Sequence, residues 1–181
     1  MTKINMGCGW RNFGKDWVHI DGGDYDHLDY DSITDLSQYN SNTVDLIYAS
    51  HVIEYFDREA ILPVLKEWHR VLRPGGILRL AVPNFETIAS LYSQQTYGLD
   101  SFVGLLYGKM PMSSNTIYHK TVYDFKSLSD LLNKQIGFND VKYYKWQETE
   151  HCNQDDHSQA YLPHMDKIKG VLVSLNVEAI K

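Results

Sequence analysis

Cysteine is scarce in this chain. Only Cys8 and Cys152 occur among 181 residues, too few for a disulfide framework and in keeping with a reducing compartment. Basic runs are missing too. The 17 basic residues are outnumbered by 23 acidic ones, a formal charge of −6, which argues against a partner held through a phosphate backbone. No apolar run approaches the roughly 20 residues of a membrane-spanning helix, and Met1 to Asn5 has no apolar signal region. The expectation is a cytoplasmic protein with no nucleic-acid and no membrane partner. Repeats, low-complexity tracts and linkers are also absent, so 1–181 reads as one domain able to bury a full core.

What the chain has is concentrated in Lys3 to Asp21, KINMGCGWRNFGKDWVHID. Ile4 to Cys8 is short and apolar and ends in glycine, the pattern of a buried strand entering a tight turn. Gly7 and Gly9 let the backbone approach a ligand that a Cβ would block. Val18 to Ile20 reads as a second strand ending on Asp21, whose carboxylate can accept from both hydroxyls of a ribose. Together these features predict a nucleoside-cofactor site. A dinucleotide fingerprint would add a third glycine and a helix start aimed at the pyrophosphate. Arg11 stands at the third-glycine position. The few residues between Gly9 and Val18 are short of the roughly dozen that a crossover helix takes. Nothing there is built for phosphate, so a nicotinamide-dependent reductase is disfavoured and S-adenosylmethionine (SAM), a nucleoside without phosphate, suits the turn.

Further along, an acidic, tyrosine-rich loop covers 22–31, and Ile33 to Leu36 is expected as a short edge strand. Val44 to Ala49 reads as a buried strand, with Ser50 to Phe56 leaving its carboxyl end, where open α/β sheets place ligands. Asp57 is a candidate cap for a helix over Arg58 to Leu72, with Pro63 near its front. Arg73-Pro74-Gly75-Gly76 is expected to turn the chain into a strand over Ile77 to Val82. A helix follows over Phe85 to Ser93. Residues at about 94–123 keep no single period and read as a lid or substrate-lining insertion with one short helix near Ser101 to Tyr107. Asp124 to Ile136 is expected as a helix stopped by Gly137. Strands follow at Val141 to Trp146 and Gly170 to Ile180, the last antiparallel and near a sheet edge. This order predicts a Rossmann-like, mostly parallel, doubly wound α/β sheet with an antiparallel C-terminal strand pair and a reduced first crossover.

Several pieces together resemble the class I SAM-dependent methyltransferases, and more narrowly the methyltransferase type 11 group. They are NMGCG at Asn5–Gly9, HID at His19–Asp21, TDLS at Thr34–Ser37, VDLIYASHVIEYF at Val44–Phe56, LKEWHRVLRPGG at Leu65–Gly76 and LRLAVPNFETIASLY at Leu78–Tyr92. YHKTVYDF at Tyr118–Phe125 and SLNVEAIK at Ser174–Lys181 match more loosely. The resemblance implies that Gly7, Cys8 and Gly9 form the cofactor loop and that Asp21 binds the ribose. It implies that Asp35 and Leu36 bracket the adenine and that Ser50 and His51 lie beside the methyl group. Asn84, past the next strand, would face substrate. The chain departs from the pattern at Asn5, where an acidic residue is usual, at the missing third glycine, and at Tyr55, where histidine is usual. It also lacks the proline-proline-tyrosine type signature of nucleic-acid methyltransferases; Ala49-Ser50-His51-Val52 stands there.

Methyl transfer displaces a sulfonium methyl that is already activated, so the protein aligns the reactants and excludes water. A nucleophile that arrives protonated also needs a base. His51 and His119 are the candidates; the alternatives are a strand-end cap for His51 and a solvated loop residue for His119. Tyr118 is a candidate to line the substrate site. Glu54 could bond substrate or cap the following helix. Glu150, His151, Cys152, Asp155, Asp156 and His157 have ligand chemistry, but their spacing fits no compact zinc pattern, so no metal is expected. They read as a polar loop within reach of the pocket. The expected function is methyl transfer from SAM to a small-molecule or saccharide acceptor, by a monomer or homodimer. The alternative is a SAM-binding module of the same fold without activity.

Overall fold

The sheet begins with two short strands joined without a helix. The computed structural model describes residues 1–112 and 115–181. Strand β1 (Lys3–Met6) pairs in parallel with β2 (Val18–Ile20) on one side and β3 (Val44–Ser50) on the other. Residues 10–17 between β1 and β2 contain no helix. After β3 the chain forms α1 (Ile61–Val71), β4 (Leu72–Pro83), α2 (Phe85–Ser93) and α3 (Asp100–Tyr107). A small hairpin of β5 (Met110–Met112) and β6 (Asn115–Ile117) comes next, then α4 (Phe125–Asp130), which runs on as a wider π-type turn over Leu131–Ile136. Strands β7 (Asn139–Tyr143), β8 (Tyr161–Leu162), β9 (Val171–Leu172) and β10 (Ser174–Ile180) complete the chain. The main sheet has the order β2-β1-β3-β4-β10-β7. Strands β1 to β4 are mutually parallel, and β10 is antiparallel to both β4 and β7.

Alternation along the strands separates the two faces. Ile4, Met6, Ile47, Leu78, Leu80 and Val82 point to one side, where Ile61, Leu65 and Trp68 of α1 and Leu128 and Leu132 pack over them. Pro63 falls in the first turn of α1, the part of a helix that tolerates proline. The other side carries Tyr48 and Leu46 of β3 against Phe13 and Trp17. Phe13, Trp17 and the buried His151 all come from segments without regular helix. Phe102 of α3 packs against Ile88, Leu91, Ala160 and Val173.

Several expectations change, and the helix expected over Arg58 to Leu72 is shorter, Ile61–Val71. Residues 33–36 form no strand. Ile20 makes only an isolated bridge to Tyr30, and the chain then descends beside α1, where Trp68 donates to the Ile33 carbonyl at 2.8 Å. The Arg73 to Gly76 stretch belongs to β4 instead of a separate turn, with Gly75 at φ 74°. Strand β7 starts at Asn139, two residues earlier than the apolar pattern implies. The Asp124 cap holds: its carboxylate accepts from the Ser127 N–H while the Ser127 hydroxyl accepts from the Asp124 N–H. Among the described residues no helix is long and apolar enough to cross a membrane.

Candidate cofactor and acceptor site

The glycine turn leaves β1 at Met6. The Gly7 N–H donates to the Ile20 carbonyl at 2.7 Å, which ties the turn to the end of β2. Gly7 and Gly9 both have positive φ, 65° and 57°, a region costly for a residue with a Cβ. A Cβ on Gly7 would also collide with the Val52 side chain, whereas Gly9 has open space on that side. Asp21 is buried at the tip of β2. One carboxylate oxygen accepts from the Gly9 N–H at 2.8 Å and the other from the Gly23 N–H at 2.7 Å. Each oxygen keeps a further lone pair. Asp21 thus shapes the turn that the sequence pattern assigns to a ribose. Cys8 is buried beside it, with Sγ 3.7 Å from His27 Nε2, and burial pushes its thiol up to about 12.

Ser50 and His51 end β3 next to this turn. The Ser50 hydroxyl and the Asn5 amide nitrogen are buried without a hydrogen-bond partner. His51 adopts φ 55° and donates its N–H to the Ala81 carbonyl at 2.8 Å. Its ring approaches Glu54 Oε1 at 3.4 Å through Nδ1 and lies 4.9 Å from the ring of His157. His119 reaches the same carboxylate oxygen at 3.8 Å from the segment after β6. Its Nδ1 lies 3.0 Å from the Leu105 carbonyl. A carbonyl only accepts, so Nδ1 carries the ring proton. His51, His119 and His157 are all held below the usual histidine range, in each case chiefly by burial. Burial moves Glu54 the other way, up to about 8. Asn84 caps α2 through its side chain, and its backbone bridges to Tyr123. Tyr118 is half-exposed beside His119.

His51, Ser50, Gly7, Cys8, Gly9 and Asp21 therefore gather at the carboxyl ends of β1 to β3, and His119 joins His51 through Glu54. Asp35 and Leu36 share no hydrogen bond with them. Leu36 is wholly buried in the main core, and its carbonyl accepts from Arg70 Nη2 at 3.1 Å. Arg70 lies in the last turn of α1, toward the amino ends of the strands. Asp35 is exposed; its N–H donates to the Ser32 hydroxyl at 3.1 Å and its carboxylate caps the Ser37 N–H at 2.9 Å. Sequence reasoning also left out the clasp of Arg11, whose Nε donates to the Asp155 carbonyl at 2.9 Å. The polar loop signalled by its acids and histidines does reach the site, through His157. Among the described residues no group of three or more His, Cys, Asp or Glu could hold a metal ion.

The turn suits a nucleoside. It offers glycine backbone, an acidic strand tip and unpartnered polar atoms, and no helix start follows it for a phosphate.

Comparison with known proteins bears on the fold. Residues 16–80 match a family model described as a methyltransferase domain. No curated protein sequence matches the chain. A SAM-dependent methyltransferase from Archaeoglobus fulgidus superposes with a TM-score of 0.60 at 15% identity, over 99% of this chain and 86% of that one. One from Methanosarcina mazei gives 0.56 at 18% identity, over 99% and 92%. The 1,6-didemethyltoxoflavin-N1-methyltransferase of Burkholderia thailandensis, solved with its substrate and S-adenosylhomocysteine, gives 0.56 at 12% identity, over 99% and 70%. The chain thus has the class I SAM-dependent methyltransferase fold, with a methyltransferase-domain match over residues 16–80.

Proposed function

We propose that this chain is a SAM-dependent methyltransferase acting on a small-molecule or saccharide acceptor. The observation that carries the reading is the Gly7–Gly9 turn tied to Asp21, with a buried histidine pair at the adjoining strand end. Gly7, Cys8, Gly9 and Asp21 would hold the nucleoside, and Ser50 the region nearest the methyl group. SAM would supply an activated methyl. The residues around it would exclude water and align the acceptor. His51 or His119 would take the proton that the nucleophile gives up. Residues 94–123 would line or cover the acceptor, with Asn84 and Tyr118 facing it. The same reading has the chain in the cytoplasm as a monomer or homodimer.

Isothermal titration with S-adenosylhomocysteine tests the cofactor half, and micromolar binding is expected. Heat change no larger than that of dilution would end the reading. A second reading, a SAM-binding module without activity, is favoured by the closure of Arg11 and His157 over the strand ends. Bound cofactor without methyl transfer to any member of a broad acceptor panel would support it.

A further inference from the structure

Glu54 has no exposed surface, and neither carboxyl oxygen has a hydrogen-bond partner. A buried polar group left unpaired is costly, so its retention calls for a reason. Helix capping does not supply one. Asp57 Oδ1 already accepts from the Glu59 and Ala60 N–H groups at 3.1 and 2.7 Å. What faces Glu54 Oε1 is imidazole from two separate segments, His51 Nδ1 at 3.4 Å and His119 Nε2 at 3.8 Å. On the far side of its ring, His51 Nε2 is buried without a partner. The His51 backbone is held at φ 55°, the kind of strain that collects at functional positions. Gly108 makes room for the arrangement, since a Cβ there would strike the His119 ring.

We propose that Glu54 is a positioning residue for proton removal: it holds the Nδ1 proton of His51, so that the bare Nε2 can accept a proton from the acceptor. This deepens the methyltransferase reading above and rests on it. The acceptor is then a hydroxyl or an amine with a proton to lose, and not a thioether or tertiary amine. It forms its new bond to the methyl carbon as its proton passes to His51 Nε2, and the electron pair of the broken carbon–sulfur bond stays on sulfur. His119 completes the arrangement. With its ring proton on Nδ1, its Nε2 lone pair can share a proton carried by Glu54 Oε1. The separations are longer than hydrogen bonds, as is common before substrate tightens a catalytic site.

The groups around Glu54 bear on its titration. They are His51 from the end of β3, His119 after the hairpin, its neighbour Tyr55, and Tyr123 ahead of α4; His157 and Arg11 lie behind His51. The Glu54 proton leaves near pH 8, above the range in which the histidines titrate. The test is nitrogen NMR of the full chain with labelled histidine, followed across that pH. The His51 Nδ1 resonance should show an inflection near pH 8, and Glu54→Gln should abolish it. A flat wild-type curve, or the same inflection in the variant, overturns the proposal. The wild-type curve alone decides the matter if the variant fails to fold. Titration with S-adenosylhomocysteine separates the two claims. Binding without the inflection removes only the Glu54 proposal, whereas no binding removes the methyltransferase reading and this inference with it.

Discussion

The Glu54 carboxyl should make the fold lose stability as the solution becomes alkaline. Burial raises it from 4.5 to about 8, so the native state keeps a proton that the unfolded chain gives up. A group raised in this way contributes its full stability below the unfolded value and loses it as pH climbs to the folded one. Each pH unit in between costs about 1.4 kcal/mol. From pH 7 to 8 the expected loss is about 1 kcal/mol, because half-titration at the upper end trims the full unit. The buried histidines run the other way. Their lowered values mean that stability is lost as pH falls through about 6.5; because a free imidazole is still about a quarter protonated at pH 7, each returns about 0.1 kcal/mol between pH 7 and 8, in wild type and variant alike. Urea unfolding followed by circular dichroism at the two pH values reads the difference. With a slope of ~2 kcal/mol per molar urea, the wild-type midpoint should fall by about 0.5 M relative to that of Glu54→Gln. Glu54→Gln should show only the small histidine gain. Parallel shifts in both proteins would mean that Glu54 is not buried uncharged, and the reasoning would fail.

Other perturbations follow from the same contacts. Gly7→Ala places a Cβ at positive φ and against Val52; it should cost about 2–4 kcal/mol in denaturation and abolish cofactor binding. Asp21→Ala strands the Gly9 and Gly23 N–H groups; it should weaken S-adenosylhomocysteine binding by about 1.5–3 kcal/mol in a titration, and an unchanged affinity would take Asp21 out of the site. Asp124→Ala removes the α4 cap; it should lower stability by about 1 kcal/mol while leaving cofactor affinity as it was, which a thermal melt paired with a titration checks.

The turn, its two strands and Asp21 were legible because they are local. A short apolar strand, glycines at left-handed positions and an acid at the next strand tip each act within about a dozen residues of one another. The same holds for the Asp124 cap, the α2 helix and the missing crossover helix. Ile33 to Leu36 is different. Its apolar and β-branched residues suit a strand, but a strand exists only if a neighbour pairs with it. Here the Arg70 and Trp68 side chains take the Leu36 and Ile33 carbonyls instead. That contest lies between residues more than thirty positions apart in the chain, so local pattern does not reveal it. The proposed acceptor side depends still more on folding. His51, Glu54, His119 and His157 come from three stretches of chain, and no spacing announces that two imidazoles share one carboxylate oxygen. Burial then sets their protonation, because a charge costs more wherever the packed chain has excluded water. Local pattern decides where the backbone can turn around a nucleoside, while long-range packing decides which side chains meet there and which of them hold protons.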